Sequence, residues 1–516
     1  MEIAKSYDSM PYPSKFFVQT HPDRLATLAN LFGVNAKTPE KCRLLELGCG
    51  NGSNLISHAY NLQDARFVGV DISGKHIEQA EEWANSLNLT NIEFHEIDVV
   101  EMNTETFGKF DYITAHGLIS WIPDFVRQRV FELFTELLEP NGIGYISYNT
   151  YPGAHRRDMV RRMMRFHTAD TDDPVKKVQK AISFLSFLTE NAAGDEIYKP
   201  TLESELHRHF QHETGDIYHD DLAEFYHPYY FQEFAEVLEA HQLQFLAETE
   251  FHAMSMQGLS PDTVNFLSGI DNLIEREQYL DFFRGRSFRQ SLICHQDVDI
   301  ERSIEPDNLD ELLIASSLKP EDDNYNPTEK KIEKFKGNKG FGIEIDHPLT
   351  KTALILLYQA WGGAIELQTL LQEARRTLIQ NGYSTDDLDQ QMDTTKSILF
   401  QIYQGSDLIE VHTHRPKAPQ KLSEKPKIND LARWQIGIGD TVTTLFGLNM
   451  LLDDEVSKHL LELLDGTRDR SALVEQITNF IKTNDDIDEN DFPLDNLGNW
   501  LESTLFNLAK LGLFVS

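Results

Sequence analysis

The sequence predicts an α/β chain: a doubly wound, mostly parallel sheet in its first half, broken by a helical insertion and followed by mainly helical modules. Two observations carry this. Between residues 44 and 148 short apolar runs alternate with amphipathic stretches, as in strands joined by helical crossovers. The first run ends in a glycine turn, Gly48-Cys49-Gly50-Asn51-Gly52, at the entry to a helix.

Taken in order, residues 43–47 read as the first strand and 53–60 as a helix; 67–71 and 74–87 repeat the unit. Third and fourth strands fall at 92–97 and 110–115. A helix after Pro123 runs to 138 and stops at Pro140-Asn141-Gly142, and a fifth strand spans 143–148. Two more short strands lie far downstream, at 243–248 and 289–294. The first of these follows a helix over 230–240 with apolar spacing at Phe231, Phe234, Val237 and Leu238. The expectation is a seven-stranded, Rossmann-like sheet that closes only near Cys294. The insertion opens on Asp173-Pro174, a helix-start signal, and carries Val175, Val178, Ile182, Leu185 and Leu188 at helical spacing, a stripe that serves either as core or as a self-association surface.

At 516 residues the chain exceeds one hydrophobic core, so several domains are expected. We read 1–170 as a core with an N-terminal lid, 171–225 as the insertion and a candidate dimerisation region, and 226–296 as the segment completing the sheet. Residues 297–345, dense in charge, Asn and Gly from 319 to 340, read as a linker; 346–414 and 428–516 read as two helical, winged-helix-like modules. A second linker is expected at 415–421.

Lys and Arg total 47 against 83 Asp and Glu, a formal charge of −36. Such a surface repels phosphate backbones, so no nucleic-acid partner is expected, and it attracts cationic protein segments. No apolar run approaches a membrane span and the N-terminus lacks signal-peptide features, so a cytoplasmic protein without membrane insertion is expected. Cys42, Cys49 and Cys294 show neither disulfide nor metal spacing, and the 19 histidines include no HExxH, so no metal is expected.

A glycine turn after a strand lets a ligand approach the backbone closely. Dinucleotide folds use the same turn with an acid about twenty residues on, a place Asp71 fills. Glu46 argues for a different ligand. A carboxylate two residues before Gly48 would repel a pyrophosphate but complement the amino end of a sulfonium cofactor. Asp98, at the end of the third strand, can accept from an adenine amino group. His116-Gly117 and Trp121, beyond the fourth strand, lie where cofactor and substrate would meet. Trp121 reads as a contact for the sulfonium or an alkyl stem, or as core; His116 as a base or a satisfied loop histidine.

Together E-L-G-C-G-N-G, V-G-V-D-I-S and E-I-D-V resemble the class I S-adenosylmethionine-dependent methyltransferases over residues 44–148. The resemblance implies that Glu46, Gly48, Gly50 and Asn51 line the methionine end, Asp71 the ribose, Ile72 the adenine face, and Asp98 with Val99 the adenine edge. Further segments, among them Tyr7-Asp8-Ser9-Met10-Pro11-Tyr12-Pro13, Ser147-Tyr148-Asn149-Thr150-Tyr151-Pro152-Gly153, Phe225-Tyr226-His227-Pro228-Tyr229 and Leu464-Asp465-Gly466-Thr467-Arg468, resemble bacterial methyltransferases carrying a methyltransferase regulatory domain, such as the rickettsial outer membrane protein B lysine methyltransferases. This implies ε-amino methylation of protein lysines, an outer membrane or surface protein as substrate before its export, and a homodimer.

Lysine methylation needs the neutral amine, roughly one lysine in a thousand near neutral pH. Desolvation and alignment must supply the rest. Tyr7 and Tyr12 supply aromatic wall and oxygen acceptors, Asn149 and Tyr151 at the exit of the fifth strand are candidate amine-orienting groups or simple loop packing, and His21 and Arg24 are expected to fix the lid. The rival readings are a small-molecule N- or O-methyltransferase and a catalytically silent cofactor-binding scaffold.

Overall fold

The computed structural model describes residues 10, 12, 14–322, 325–337, 340–384, 388–415, 422–444, 447–452, 454–484, 487, 492 and 496–514. Strand β1 (Arg43–Leu47) is an inner strand of a seven-stranded sheet. Around it run β2 (Arg66–Asp71), β3 (Ile92–Glu96), β4 (Phe110–Ala115), β5 (Leu138–Asn149), β6 (Leu243–Glu248) and β7 (Phe288–His295), in the order β3-β2-β1-β4-β5-β7-β6. The five N-terminal strands are parallel, and β7 enters antiparallel between β5 and β6.

Strand alternation assigns the two faces. Leu44 joins the apolar cluster under helices α1 (Pro22–Leu31), α2 (Ser53–Asn61) and α3 (Gly74–Ser86), while Leu45 and Leu47 join the cluster under α4 (Asp124–Leu137). Glu46 therefore shares the face of Leu44, towards α2. β7 is welded to β6 by a fully buried Arg289, which donates to Glu248 Oε1 at 2.6 Å, Asp281 Oδ1 at 2.8 Å and Glu277 Oε2 at 3.1 Å.

Between β5 and β6 the chain builds α5 (Ala154–His167), α6 (Pro174–Asn191), α7 (Tyr198–Phe210), a π-helical turn at Ile217–Asp221 and α8 (Phe231–Ala240). Asp173 caps α6 by accepting from Lys176 N. Of the predicted α6 stripe, Val178 and Leu185 are buried in a small cluster of their own, Ile182 and Leu188 are half-buried, and Val175 is exposed.

The expected linker at 297–345 is not one. Leu313–Ala315 forms β8, the middle strand of a sheet with β12 (Ile365–Glu366) and β13 (Glu410–His412), and Leu309, Leu312, Ile314 and Leu318 are buried. A second small sheet links β9 (Lys319–Pro320), β10 (Glu333–Lys336) and β11 (Gly342–Ile345). Strands of two to four residues are too short for alternation to show, and the partners of β8 lie far along the chain. Around these sheets pack α9 (Pro348–Gln359), α10 (Leu367–Gln380) and α11 (Leu388–Gly405), continuous with the main core. The last unit has its own core, formed by α12 (Asp430–Ile438), α13 (Glu455–Leu463), α14 (Arg470–Thr483) and α15 (Leu497–Lys510) with the hairpin β14 (Thr441–Thr443) and β15 (Asn449–Leu451). Of the second expected linker, residues 416–421 lie outside the described residues.

The N-terminal helix is locked to β13 by one buried carboxylate. Asp23 accepts from His412 Nδ1 (2.7 Å), Thr413 N (2.9 Å), Thr413 Oγ1 (3.0 Å) and His414 N (2.8 Å). Burial alone would depress His412, but the charge and hydrogen bond of Asp23, then Glu410, raise it from 6.5 to about 9. His412 in turn holds Asp23 well below the carboxylate range, against burial. The clamp is thus at full strength below the unfolded histidine value of 6.5 and is lost as pH rises through about 9; on the acid side it is lost as pH falls below the ordinary Asp value. Asp23→Ala should cost about 3–5 kcal/mol. Wild type should lose about 3 kcal/mol more than this variant between about pH 6.5 and pH 9, checked by calorimetric unfolding.

Candidate active site

The carboxyl ends of β1, β2, β3, β4 and β5 meet in one cavity of about 380 Å³, lined among others by Glu46, Gly48, Gly50, Asn51, Asp71, Ile72, Asp98, Val99, His116, Trp121, Asn149 and Tyr12. Every candidate residue but one among those described lines it. The exception is Tyr151.

Glu46 is buried, 4% exposed. Its Oε1 accepts from Asn54 Nδ2 at 2.8 Å, while Oε2 is buried with no hydrogen-bond partner among the described residues. Burial raises its pKa to about 7, against the Asn54 hydrogen bond, which lowers it. A buried, half-paired carboxylate is costly unless a cation completes it.

The turn after β1 is anchored by Gly48 and Cys49, whose N–H groups donate to Val70 O at 2.9 and 3.0 Å. Gly52, at φ 72°, lies so close to α3 and β3 that a Cβ would fall 2.6 Å from Phe94 Cζ. Gly50 is the opposite case: at φ 53° it has no atom within 4 Å of where a Cβ would stand, which leaves room for a ligand. Asp71 accepts from Gly50 N and Ser73 N, both at 2.9 Å, so its carboxylate is oriented by the turn it faces. Asp98 caps a short turn by accepting from Val100 N at 3.1 Å. Ile72, Ile97 and Val99 supply apolar wall. Asn51 lines the cavity as well, and its Nδ2 donates to Ser14 Oγ at 2.9 Å, which ties the turn to the N-terminal segment.

That segment covers the turn. Ser53 Oγ donates to Lys15 O at 3.1 Å, and Phe17 N donates to Asn54 Oδ1 at 2.9 Å, so the residue that holds Glu46 also holds the segment. Phe17 stacks on His116 at 3.7 Å between ring centroids. His21 caps α1 by accepting from Asp23 N, and Arg24 pairs with Glu250, which also accepts from Gln19. The C-terminal unit grips the same segment: Asn449 Nδ2 donates to Phe16 O at 2.8 Å and Trp434 meets the Phe16 ring edge-on. Tyr7 lies outside the described residues.

His116 is a neutral wall rather than a base. Burial, with the charge of Lys15, lowers it to about 3. Gln290 Nε2 donates to Tyr145 Oη at 3.2 Å, which leaves the phenol proton for His116 Nδ1 at 2.7 Å. Trp121 lines the cavity, but Arg157 and Arg161 lie 5.3 and 5.4 Å from its ring centroid and Tyr226 packs beside it at 5.1 Å, so its π face serves arginines. Asn149 is anchored through its backbone to Ser120 Oγ at 3.0 Å. Tyr151 is corrected out of the site: its ring stacks on His155 at 4.0 Å and packs against Tyr230, because the chain bridges to Tyr229 after β5 and turns into α5. Sequence reading missed Asn54, Lys15, Phe17, Arg157, His219, Asp220 and Phe288. Only Asn54 carried a signal, being part of the turn that follows β1.

A sheet in this order with an antiparallel seventh strand, a glycine turn and a carboxylate awaiting a cation defines a class I S-adenosylmethionine-dependent methyltransferase. Residues 39–204 match a methyltransferase domain, 214–295 a predicted methyltransferase regulatory domain, and 424–513 the PKMT C-terminal winged helix domain. An uncharacterized protein of Rickettsia prowazekii is 32% identical over 488 residues, 92% of this chain and 86% of its own. A second from that organism is 33% identical over 232 residues, 45% of this chain and 92% of its own. The structure of PKMT2 from Rickettsia typhi in complex with AdoHcy superposes with TM-score 0.85 at 27% identity, covering 98% of this chain and 100% of that one. The chain belongs to the methyltransferases that carry this regulatory domain and a PKMT winged-helix C-terminus.

The residues present fit that cofactor: Glu46 Oε2 lacks a cation, Gly50 leaves space, and Asp71 presents an oriented carboxylate to a diol. Glu46→Gln should weaken S-adenosylhomocysteine binding at least tenfold, about 1.4 kcal/mol, by calorimetry. Wild-type affinity should rise from about pH 6 to about pH 8 as Glu46 ionises, and the variant should be flat. Asn449→Ala should speed cofactor release about fivefold in stopped flow while costing only about 1 kcal/mol of stability.

Proposed function

We propose that this chain transfers the methyl group of S-adenosylmethionine to the ε-amino group of lysines in protein substrates. The observation that carries the reading is a cavity lined both by the turn after β1 and by Tyr12, Trp121, Asn149, Asp220 and Phe288 from five separate segments. Full-length likeness to a structure titled PKMT2 supports a protein acceptor.

When bound, S-adenosylmethionine supplies an electrophilic methyl group on a cationic sulfur. The chain's own residues do the rest. Glu46, kept from water and held by Asn54, orients the amino end; Asp71 and Asp98 hold the ribose and adenine. Phe17 stacks on His116, and the two rings line the cavity. A lysine amine there loses the solvation that favours its protonated form. Tyr12 and Asn149 are the groups we assign to orienting it, since alignment contributes more than base strength to a transfer of this kind. Among the described residues no helix is long and apolar enough to cross a membrane. We place the reaction in the cytoplasm, on an outer membrane or surface protein before its export. The enzyme works as a homodimer through the insertion, where Phe187, Ile197 and Phe210 are exposed.

Incubating the enzyme and radiolabelled cofactor with a bacterial lysate should place label in protein, with methyllysine found by mass spectrometry. Label confined to small molecules would sink the reading. Asn149→Ala should lower turnover at least tenfold with cofactor affinity kept.

A further inference from the structure

The acceptor end of the cavity holds one carboxylate whose bonding the fold leaves incomplete. Asp220 sits in the π-helical turn Ile217–Asp221. Such a turn inserts an extra residue into helical winding and re-aims the side chains it carries, and it is common at functional sites. Here it separates neighbouring acids. Asp221 turns into the protein, its side chain 2% exposed, and is saturated by Arg157 Nε and Arg208 Nη2, both at 2.9 Å, and by His209 Nε2 at 3.3 Å. Asp216, just before the turn, pairs with Lys15. Asp220 lines the cavity with its side chain 22% exposed.

Only one of its oxygens is used. Oδ2 accepts from Arg157 Nη2 at 3.2 Å, and among the described residues Oδ1 has no hydrogen-bond partner. The backbone is held too, since the Asp220 carbonyl accepts from Arg161 Nε at 2.9 Å. The carboxylate is therefore fixed in place with one face open to the cavity.

Among the described residues that line the cavity, Asp220 is the one acid outside the set assigned to the cofactor. Glu46, Asp71 and Asp98 lie around the cofactor turn. The cations nearby are already met: Lys15 by Asp216, Arg157 by Asp221 as well as by Asp220, with the Arg157 guanidinium lying over the Trp121 ring. Burial lowers His219 and so favours its uncharged form. Trp121, Ile122, Val126 and Phe288 add apolar surface that suits an alkyl stem. A stem of this kind ending in an ammonium needs an anion at its tip, because burying the charge unpaired costs several kcal/mol.

We propose that Asp220 is the specificity-determining residue for the methyl acceptor: its Oδ1 receives the ε-ammonium of the lysine as it enters, selecting cationic amines over neutral or anionic acceptors, and the amine gives up its proton to solvent before the neutral nitrogen attacks the methyl carbon. The inference rests on the function proposed above and narrows its acceptor chemistry. Burial pushes the Asp220 carboxyl up, and the neighbouring Arg157 opposes the rise, as a second cation at Oδ1 would.

The test uses the full-length enzyme saturated with S-adenosylhomocysteine, a synthetic peptide bearing one lysine, and its twin with norleucine in that place. Wild type should bind the lysine peptide at least tenfold more tightly, a difference that Asp220→Asn should reduce to about twofold. In turnover, Asp220→Asn should raise KM for the lysine peptide about tenfold with kcat changed less than threefold. S-adenosylhomocysteine affinity within about twofold of wild type would certify the fold of the variant, and Asp220→Glu should restore most of the preference. Asp220→Asn retaining both KM and the lysine preference overturns the assignment while leaving lysine methylation intact. Wild type that labels only small molecules overturns the proposed function, and this assignment with it.

Discussion

A carboxylate in the middle of an apolar strand governs much of this molecule. Glu46 shares β1 with Leu44, Leu45 and Leu47, all fully buried, and alternation turns it to the face under α2. One oxygen is satisfied by Asn54, and burial drives the group toward its protonated state. Such an arrangement is a standing cost in the empty protein, recovered when a cation arrives. It also explains why Asn54 is central: its amide nitrogen holds Glu46 and Thr20 Oγ1, and its amide oxygen holds Phe17 N. A ligand that engages Glu46 therefore acts on the segment that covers it.

That segment is held from three sides. The turn after β1 binds it through Asn51 and Ser53, the insertion through the pairing of Lys15 with Asp216, and the C-terminal unit through Asn449 and Trp434. Asp23 adds the attachment of α1 to β13. Units far apart in sequence thus converge on residues 14–23. The C-terminal unit is coupled to the cofactor site by contact, because Gln435 Nε2 also donates to Ser57 Oγ on α2. The winged-helix unit thus touches both the covering segment and the helix behind the glycine turn.

Much of the sheet was legible in the sequence because its strands are long enough for apolar patterning to show, and because helical crossovers of ordinary length separate the first five. β6 and β7 were found the same way, though more than 90 residues separate β5 from β6. The short strands β8 to β11 were not found, since two to four residues carry no readable period and pair with remote partners. The cofactor residues could be read because they lie within a few positions of strand ends, where the chain's own geometry places them.

The acceptor end could not be read this way. Asp220 and His219 come from the insertion and Arg157 from α5, which shares its small core, and nothing local marks one acid of a π-helical turn as facing a cavity and its neighbour as buried. Tyr151 and Asn149 are two residues apart, yet only Asn149 reaches the site, because the strand ends between them. By itself the sequence determined the sheet, the glycine turn and the acids at its strand ends, all consequences of local periodicity. Tertiary structure alone decided which side chains close the cavity, since that depends on how distant segments pack against one another.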